Sequence, residues 1–122
     1  MIGLNGDFIV LSFLTLMSPN METTLPAYEA LGLRFVRERH GEGPEHYCCV
    51  SAGVAFEIYP GQKEVQEAGV LLGFDVDDLN AVRAALGTAG VSILRDIADI
   101  DGVASLIFAD HDGRRVMVRQ NT

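Results

Sequence analysis

The stretch Val54 to Pro60, Val-Ala-Phe-Glu-Ile-Tyr-Pro, sets a lone carboxylate, Glu57, in an otherwise apolar run. In strand geometry successive side chains point to opposite faces, so Val54, Phe56 and Ile58 share one face while Ala55, Glu57 and Tyr59 share the other. Such a strand either shows its second face to water or lines a cavity with it, because an unpaired buried carboxylate is expensive. In a cleft, a carboxylate can serve as a general base, a metal ligand or the counter-charge for a cationic ligand. Ala52-Gly53 predicts a tight hairpin from a preceding strand over His46 to Ser51. With a two-residue turn, Cys48 lies opposite Glu57 and His46 opposite Tyr59, on the cleft side; a one-residue change in turn length reverses this. His46, Cys48, Glu57 and Tyr59 together could do acid and base work, whereas a nucleophilic Cys48 requires a lowered thiol pKa.

The elements that must position these residues follow from periodicity and turn chemistry. Phe8 to Leu16 is a nearly continuous apolar run rich in strand formers, as expected when both faces of a strand are covered. Ser18, Pro19 and Asn20 are helix-entry residues, and Met21, Leu25, Tyr28 and Leu31 recur at helical spacing up to Gly32. Pro26 requires that this helix either start near Thr24 or kink. Leu33 to Arg39 alternates as a strand with one wet face, and a loop, His40 to Glu45, leads into the strand over His46 to Ser51. Gly61 to Gly69 is polar and forms the linker. The pattern then repeats: a strand over Val70 to Val76, a helix capped by Asp77 or Asp78 and closed by Gly90, a strand over Val91 to Arg95, and an acidic loop, Asp96 to Gly102. Val103 to Ala109 is a strand, Asp110 to Gly113 a turn, and Arg114 to Gln120 the last strand. Two modules, about 8–60 and 70–121, therefore share the order strand, helix, three strands, an internal repeat within a single domain.

At 122 residues, with 48% hydrophobic and 21% charged residues, the chain can build a core without disulfide or metal staples. Nine basic against seventeen acidic residues give a net charge of −8, which disfavours nucleic acid and anionic membranes as partners and would draw in cationic small molecules or basic partners, unless it serves solubility alone. The two cysteines, Cys48 and Cys49, are adjacent and point to opposite faces of their strand, so they read as small buried hydrophobes in a reducing compartment. The apolar start carries Asp7 and lacks a basic region, and no run approaches the ~20 residues of a membrane span. A cytoplasmic location is expected.

Four features in order resemble the vicinal oxygen chelate superfamily, which includes glyoxalase I, bleomycin-resistance proteins, extradiol dioxygenases and fosfomycin-resistance enzymes. They are Tyr28 followed by Leu31-Gly32-Leu33, similar to FY…LGL; Phe56-Glu57-Ile58; Leu72-Gly-Phe-Asp-Val-Asp-Asp78; and Asp110-His-Asp-Gly113, similar to DPDG. The resemblance implies an α+β fold of two tandem βαβββ modules, forming curved, cup-like mixed sheets with helices on the outer face. It also implies four metal-ligand positions, which fall on Phe13, Glu57, Leu71 and Met117. Phenylalanine and leucine cannot ligate a divalent ion, and a thioether suits the hard or borderline metals of these enzymes poorly. No family-type metal centre and no cofactor are therefore expected. His40, His46 and His111 fall on none of these positions, and His40 and His111 are expected to be solvated.

A carboxylate ringed by Phe13, Leu71 and Met117 calls for a cation beside it, and Arg115 and Arg119, on the face of Met117, are the candidates. An ion pair without further role is the plain alternative. The expected function is a metal-independent small-molecule binding protein of the glyoxalase/bleomycin-resistance type. It would bind an aromatic or cationic ligand in a cleft lined by Glu57, with Phe13, Tyr59, Leu71, Met117, Arg115, Cys48 and His46 around it, as a homodimer. The alternative is a lyase, isomerase or dioxygenase-like enzyme using Glu57 as base or metal ligand.

Overall fold

The computed structural model describes residues 9–61 and 69–122, so Phe8 and most of the expected linker, 61–69, lie outside the described residues. The elements are β1 (Phe13–Ser18), α1 (Met21–Glu29), β2 (Val36–Glu38), β3 (His46–Ser51), β4 (Val54–Pro60), β5 (Leu71–Val76), α2 (Leu79–Thr88), β6 (Ser92–Ile100), β7 (Val103–Ala109) and β8 (Arg115–Gln120). They form two four-stranded mixed sheets of equivalent topology, β1-β4-β3-β2 and β5-β8-β7-β6, an α+β fold of two βαβββ modules. In each sheet the first and last strands of the module pair in parallel and the other pairs are antiparallel. Among the described residues no helix is long and apolar enough to cross a membrane.

The helices repeat in detail. The Asn20 side chain accepts from Thr23 N–H and the Asp78 side chain from Ala81 N–H, each filling an orphan donor of the first turn. Of the two candidate caps of α2, Asp78 is the one used. Helix α1 starts at Met21 and runs through Pro26, whose carbonyl still takes the Ala30 N–H at 3.0 Å. Gly32 and Gly90, at φ +102° and +73°, turn the chain out of the helices, a conformation that strains any side chain.

Three elements differ from the sequence expectation. Strand β1 is shifted to Phe13–Ser18, because its parallel register with β4 (Phe13 beside Ala55) brings residues before Ser12 level with the Ala52-Gly53 turn, where there is no ladder to join. Strand β2 keeps only Val36–Glu38; Leu33 and Phe35 leave the ladder to pack on the core, Phe35 lying 5.9 Å from Phe56. The stretch expected as an acidic loop is mostly strand: β6 extends to Ile100 through two register shifts, and the hairpin turn is Asp101-Gly102. Bulges let a strand keep its pairing while bending, and Asp96 meets Arg83 of α2 at 2.9 Å.

The inward faces are Leu16, Phe56 and Ile58 in the first sheet and Leu72, Leu106, Phe108, Val116 and Val118 in the second. Together with Ala27, Tyr28, Leu79, Val82 and Leu86 of the helices they form one cluster. Tyr28 sits at its centre, edge-on to Phe56 at 5.1 Å and to Phe74 and Phe108 at 6.4 Å, so one ring joins both modules. Its hydroxyl donates to Asp110 at 2.6 Å. Burial, reinforced by the Asp110 charge, pushes the Tyr28 phenol far above its ordinary value of 10.0.

The sign of the resulting pH dependence follows. Below pH ~10 the phenol is protonated in folded and unfolded chain alike; above it only the unfolded chain gives up the proton, so stability falls as pH rises, by about 1.4 kcal/mol per unit for this group. Urea denaturation between about pH 9 and 11 should show Tyr28→Phe with a shallower loss than the parent by that amount. Equal slopes would contradict the buried phenol.

Candidate functional site

Once the inward faces are spent on the core, the opposite face of the first sheet is left open. The Ala52-Gly53 turn, with φ +52° and +82°, is a two-residue turn, and it sets Cys48 opposite Glu57. The same register brings His46 beside Tyr59, with rings stacked at 4.0 Å and 9° between planes. Alternation along β1 puts Phe13, Thr15 and Met17 on this face, and that along β2 puts Val36 and Glu38 there.

Glu57 lies at the middle of this face, half-buried. It accepts a hydrogen bond from the Thr15 hydroxyl at 2.7 Å, not from an arginine. Arg119, one of the two candidates for that place, pairs with Asp75 at 2.8 Å, because β5 and β8 run side by side with Asp75 directly beside Arg119. Arg115, Leu71 and Met117 also belong to the open face of the second sheet. Leu71 and Arg115 line one shallow cavity of about 230 Å³, and Met117 and Arg119 line another of about 280 Å³. The structure thus gathers Phe13, His46, Cys48, Glu57 and Tyr59 on one sheet and Leu71, Arg115 and Met117 on the other.

Beside Glu57 lies a second carboxylate, Glu38, that the sequence reading did not single out. The Glu38 carboxylate meets His46 Nε2 at 3.0 Å and His40 Nε2 at 3.1 Å. His46 is buried, at 1% exposure, and its Nδ1–H donates to the Pro44 carbonyl at 3.1 Å. The hydrogen bond with His46 holds the Glu38 carboxyl below the usual carboxylate range. Ligand atoms of Glu38, Cys48 and Glu57 also lie within 4.8 Å of one another. His40, expected to be solvated, is exposed yet packs its ring 5.0 Å from that of His46. For Glu38 a usable signal was present, because it is the antiparallel partner of His46; His40 lies beyond the end of β2.

No family model matches the sequence, and no curated relative does. Solved structures do. A glyoxalase/bleomycin resistance protein from Albidiferax ferrireducens T118 superposes with a TM-score of 0.73 at 18% identity, covering 92% of this chain and 98% of its own. The fosfomycin resistance protein FosX from Mesorhizobium loti gives 0.71 at 16% identity, with 94% of each chain covered. TnmS3, an antibiotic binding protein from Streptomyces sp. CB03234, gives 0.71 at 16% identity, with 93% and 96% covered. The chain has the vicinal oxygen chelate fold. Of the four positions expected from the resemblance to carry metal ligands, Phe13 and Glu57 lie on the first sheet and Leu71 and Met117 on the second, and only Glu57 offers a ligand atom suited to a divalent ion. One carboxylate among two hydrocarbon side chains and a thioether is not a donor set for such an ion.

Burial, together with the Glu38 and Glu57 charges, pushes the Cys48 thiol above its ordinary range. That is the opposite of what a nucleophilic cysteine needs. Alkylation of Cys48 followed by mass spectrometry against pH should inflect above pH ~8.5 and move down in Glu57→Gln. An inflection below pH ~7 would instead mark an activated thiolate.

Proposed function

We propose that this chain is a small-molecule binding protein of the glyoxalase/bleomycin-resistance type that takes an aromatic or cationic ligand on the face carrying Glu57. The observation that carries the reading is the company Glu57 keeps. Phe13 and Met17, 62% and 43% exposed, flank Thr15 on the adjacent strand, so large apolar groups stand open on either side of a half-buried carboxylate. Apolar walls with one oriented charge suit a flat cationic ligand, the walls giving contact area and the carboxylate giving orientation. The net charge of −8 favours the approach of such a ligand.

Binding in this reading needs no ion at positions 13, 57, 71 and 117. The face of Leu71, Arg115 and Met117, with Leu71 56% exposed, is the second wall. A second copy of the chain in a homodimer would bring that wall over the first. The binder is cytoplasmic, has no nucleic-acid or membrane partner, and does not use Cys48 as a nucleophile. An antibiotic-binding protein of the same fold, TnmS3, supports the class of function.

Isothermal calorimetry of chelator-treated protein against a panel of aromatic cations should give saturable heats. Glu57→Gln should weaken the cations by about tenfold, roughly 1.4 kcal/mol, while leaving neutral aromatics unchanged. Absence of heat with every ligand, or affinities unmoved by Glu57→Gln, would remove the proposal. Sedimentation should show the dimer at the concentrations where binding is seen.

A further inference from the structure

We infer that Glu38, His40 and His46 form a binding site for a borderline divalent transition-metal ion, zinc by preference, at the β2–β3 edge of the first sheet. The site is separate from the fold's own metal positions, and the inference stands independently of the proposed ligand face. The donor set is two imidazoles and one carboxylate, the combination found in zinc sites that leave a fourth position for water or a ligand.

The geometry matches the ion. Bonds of about 2.0–2.1 Å at tetrahedral angles hold ligand atoms roughly 3.4 Å apart. The Glu38 oxygen is 3.0 and 3.1 Å from the two Nε2 atoms, and all three ligand atoms lie within 4.8 Å of one another. The two Glu38 contacts would have to lengthen by only a few tenths of an ångström to admit the ion. Two of the three side chains are on adjacent positions of paired strands, and His40 lies two residues beyond Glu38, so the site needs no distant segment.

An independent observation comes from His46. A neutral imidazole carries one N–H, and both ring nitrogens of this buried side chain face acceptors, the Pro44 carbonyl at Nδ1 and the Glu38 carboxylate at Nε2. With Nδ1–H donated to the carbonyl, Nε2 faces a carboxylate oxygen at 3.0 Å, a contact that either a proton or a metal ion on Nε2 would satisfy. The Nδ1–H to backbone carbonyl bond is also the arrangement that orients a metal-bound histidine and fixes its tautomer. The His40 nitrogen converges on the same oxygen at 3.1 Å, so two imidazoles and one carboxylate meet at one point. The nearby Glu57 carboxylate adds negative charge within reach of Glu38. An ion here would tie the three-residue edge strand β2 to β3 and close the loop at 39–45 between them.

The test uses the full chain, stripped with chelator, dialysed against zinc and measured for metal content, with cobalt as a spectroscopic probe. The expected result is one zinc per chain, visible cobalt d–d bands of the intensity typical of four-coordination, and a Tm raised by zinc. His40 is exposed, so His40→Ala should fold; it and Glu38→Gln should each lower zinc affinity by at least about tenfold, since losing even an outer-shell partner costs about 10–100-fold. Glu57→Gln and Cys48→Ser should retain the ion. Failure to retain zinc, or retention unaffected by His40→Ala and Glu38→Gln, would overturn the inference. So would loss of zinc in Glu57→Gln and Cys48→Ser but not in His40→Ala, which would move the ion to the neighbouring Glu38, Cys48 and Glu57 group.

Discussion

Asp110 accepts the Tyr28 hydroxyl at 2.6 Å, the Arg114 guanidinium at 3.0 Å and the backbone N–H groups of Asp112 and Arg114 at 2.9 Å each, with its side chain shielded from water. Arg114 also donates to Asp112 and to the Met17 carbonyl of β1, and Asp112 accepts from Thr24 of α1. A turn of the second module is thereby fastened to the strand and the helix that begin the first. A buried ion pair contributes little net stability, because desolvation offsets most of the attraction, but breaking one partner of it is costly. Its effect is therefore on arrangement: any packing of the modules that parts α1 and β1 from the 110–114 turn gives up the bonds from Tyr28 to Asp110, from Thr24 to Asp112 and from Arg114 to the Met17 carbonyl.

That constraint decides where function can be. With Tyr28 held between Phe56, Phe74 and Phe108, the helix-side faces of both sheets are used up inside one core, and the other faces remain open. The two open faces have one topology and different chemistry, and on the second Arg119 is paired with Asp75. The first carries Glu38, Glu57, His46 and Cys48, and the second carries Arg115, Arg119 and Met117. The two βαβββ units present the same backbone topology twice. The outward positions, free of the packing requirement, differ in charge between the two sheets, while the inward ones are apolar in both.

Much of the architecture was legible because turn residues and alternation speak locally. The strands 46–51, 54–60 and 103–109 have the ends that Ala52-Gly53, the polar stretch after Pro60 and the Asp-rich turn suggested. Elements whose extent depends on a partner were less legible. Strand β1 is set by the length of β4, β2 by the pull of Leu33 and Phe35 into the core, and β6 by bulges that keep acidic residues in a ladder. For the candidate site, the grouping of Glu57 with Cys48 and Tyr59 followed from hairpin register, although Ala52 at φ +52° is not a residue that announces such a turn. The Thr15 donor to Glu57 comes from a parallel pairing across 42 residues, and the meeting of His40 with His46 depends on a loop folding back; neither is a local property.

Native-state hydrogen exchange of the full chain in rising urea tests most directly whether the two modules share one core and leave both open faces free. The expected result is that amides of Phe56 and Ile58 in β4 and of Val116 and Val118 in β8 converge on a single opening, with the same free energy and the same urea dependence. First-module amides exchanging through a separate opening of lower free energy, while β8 stays protected, would contradict it.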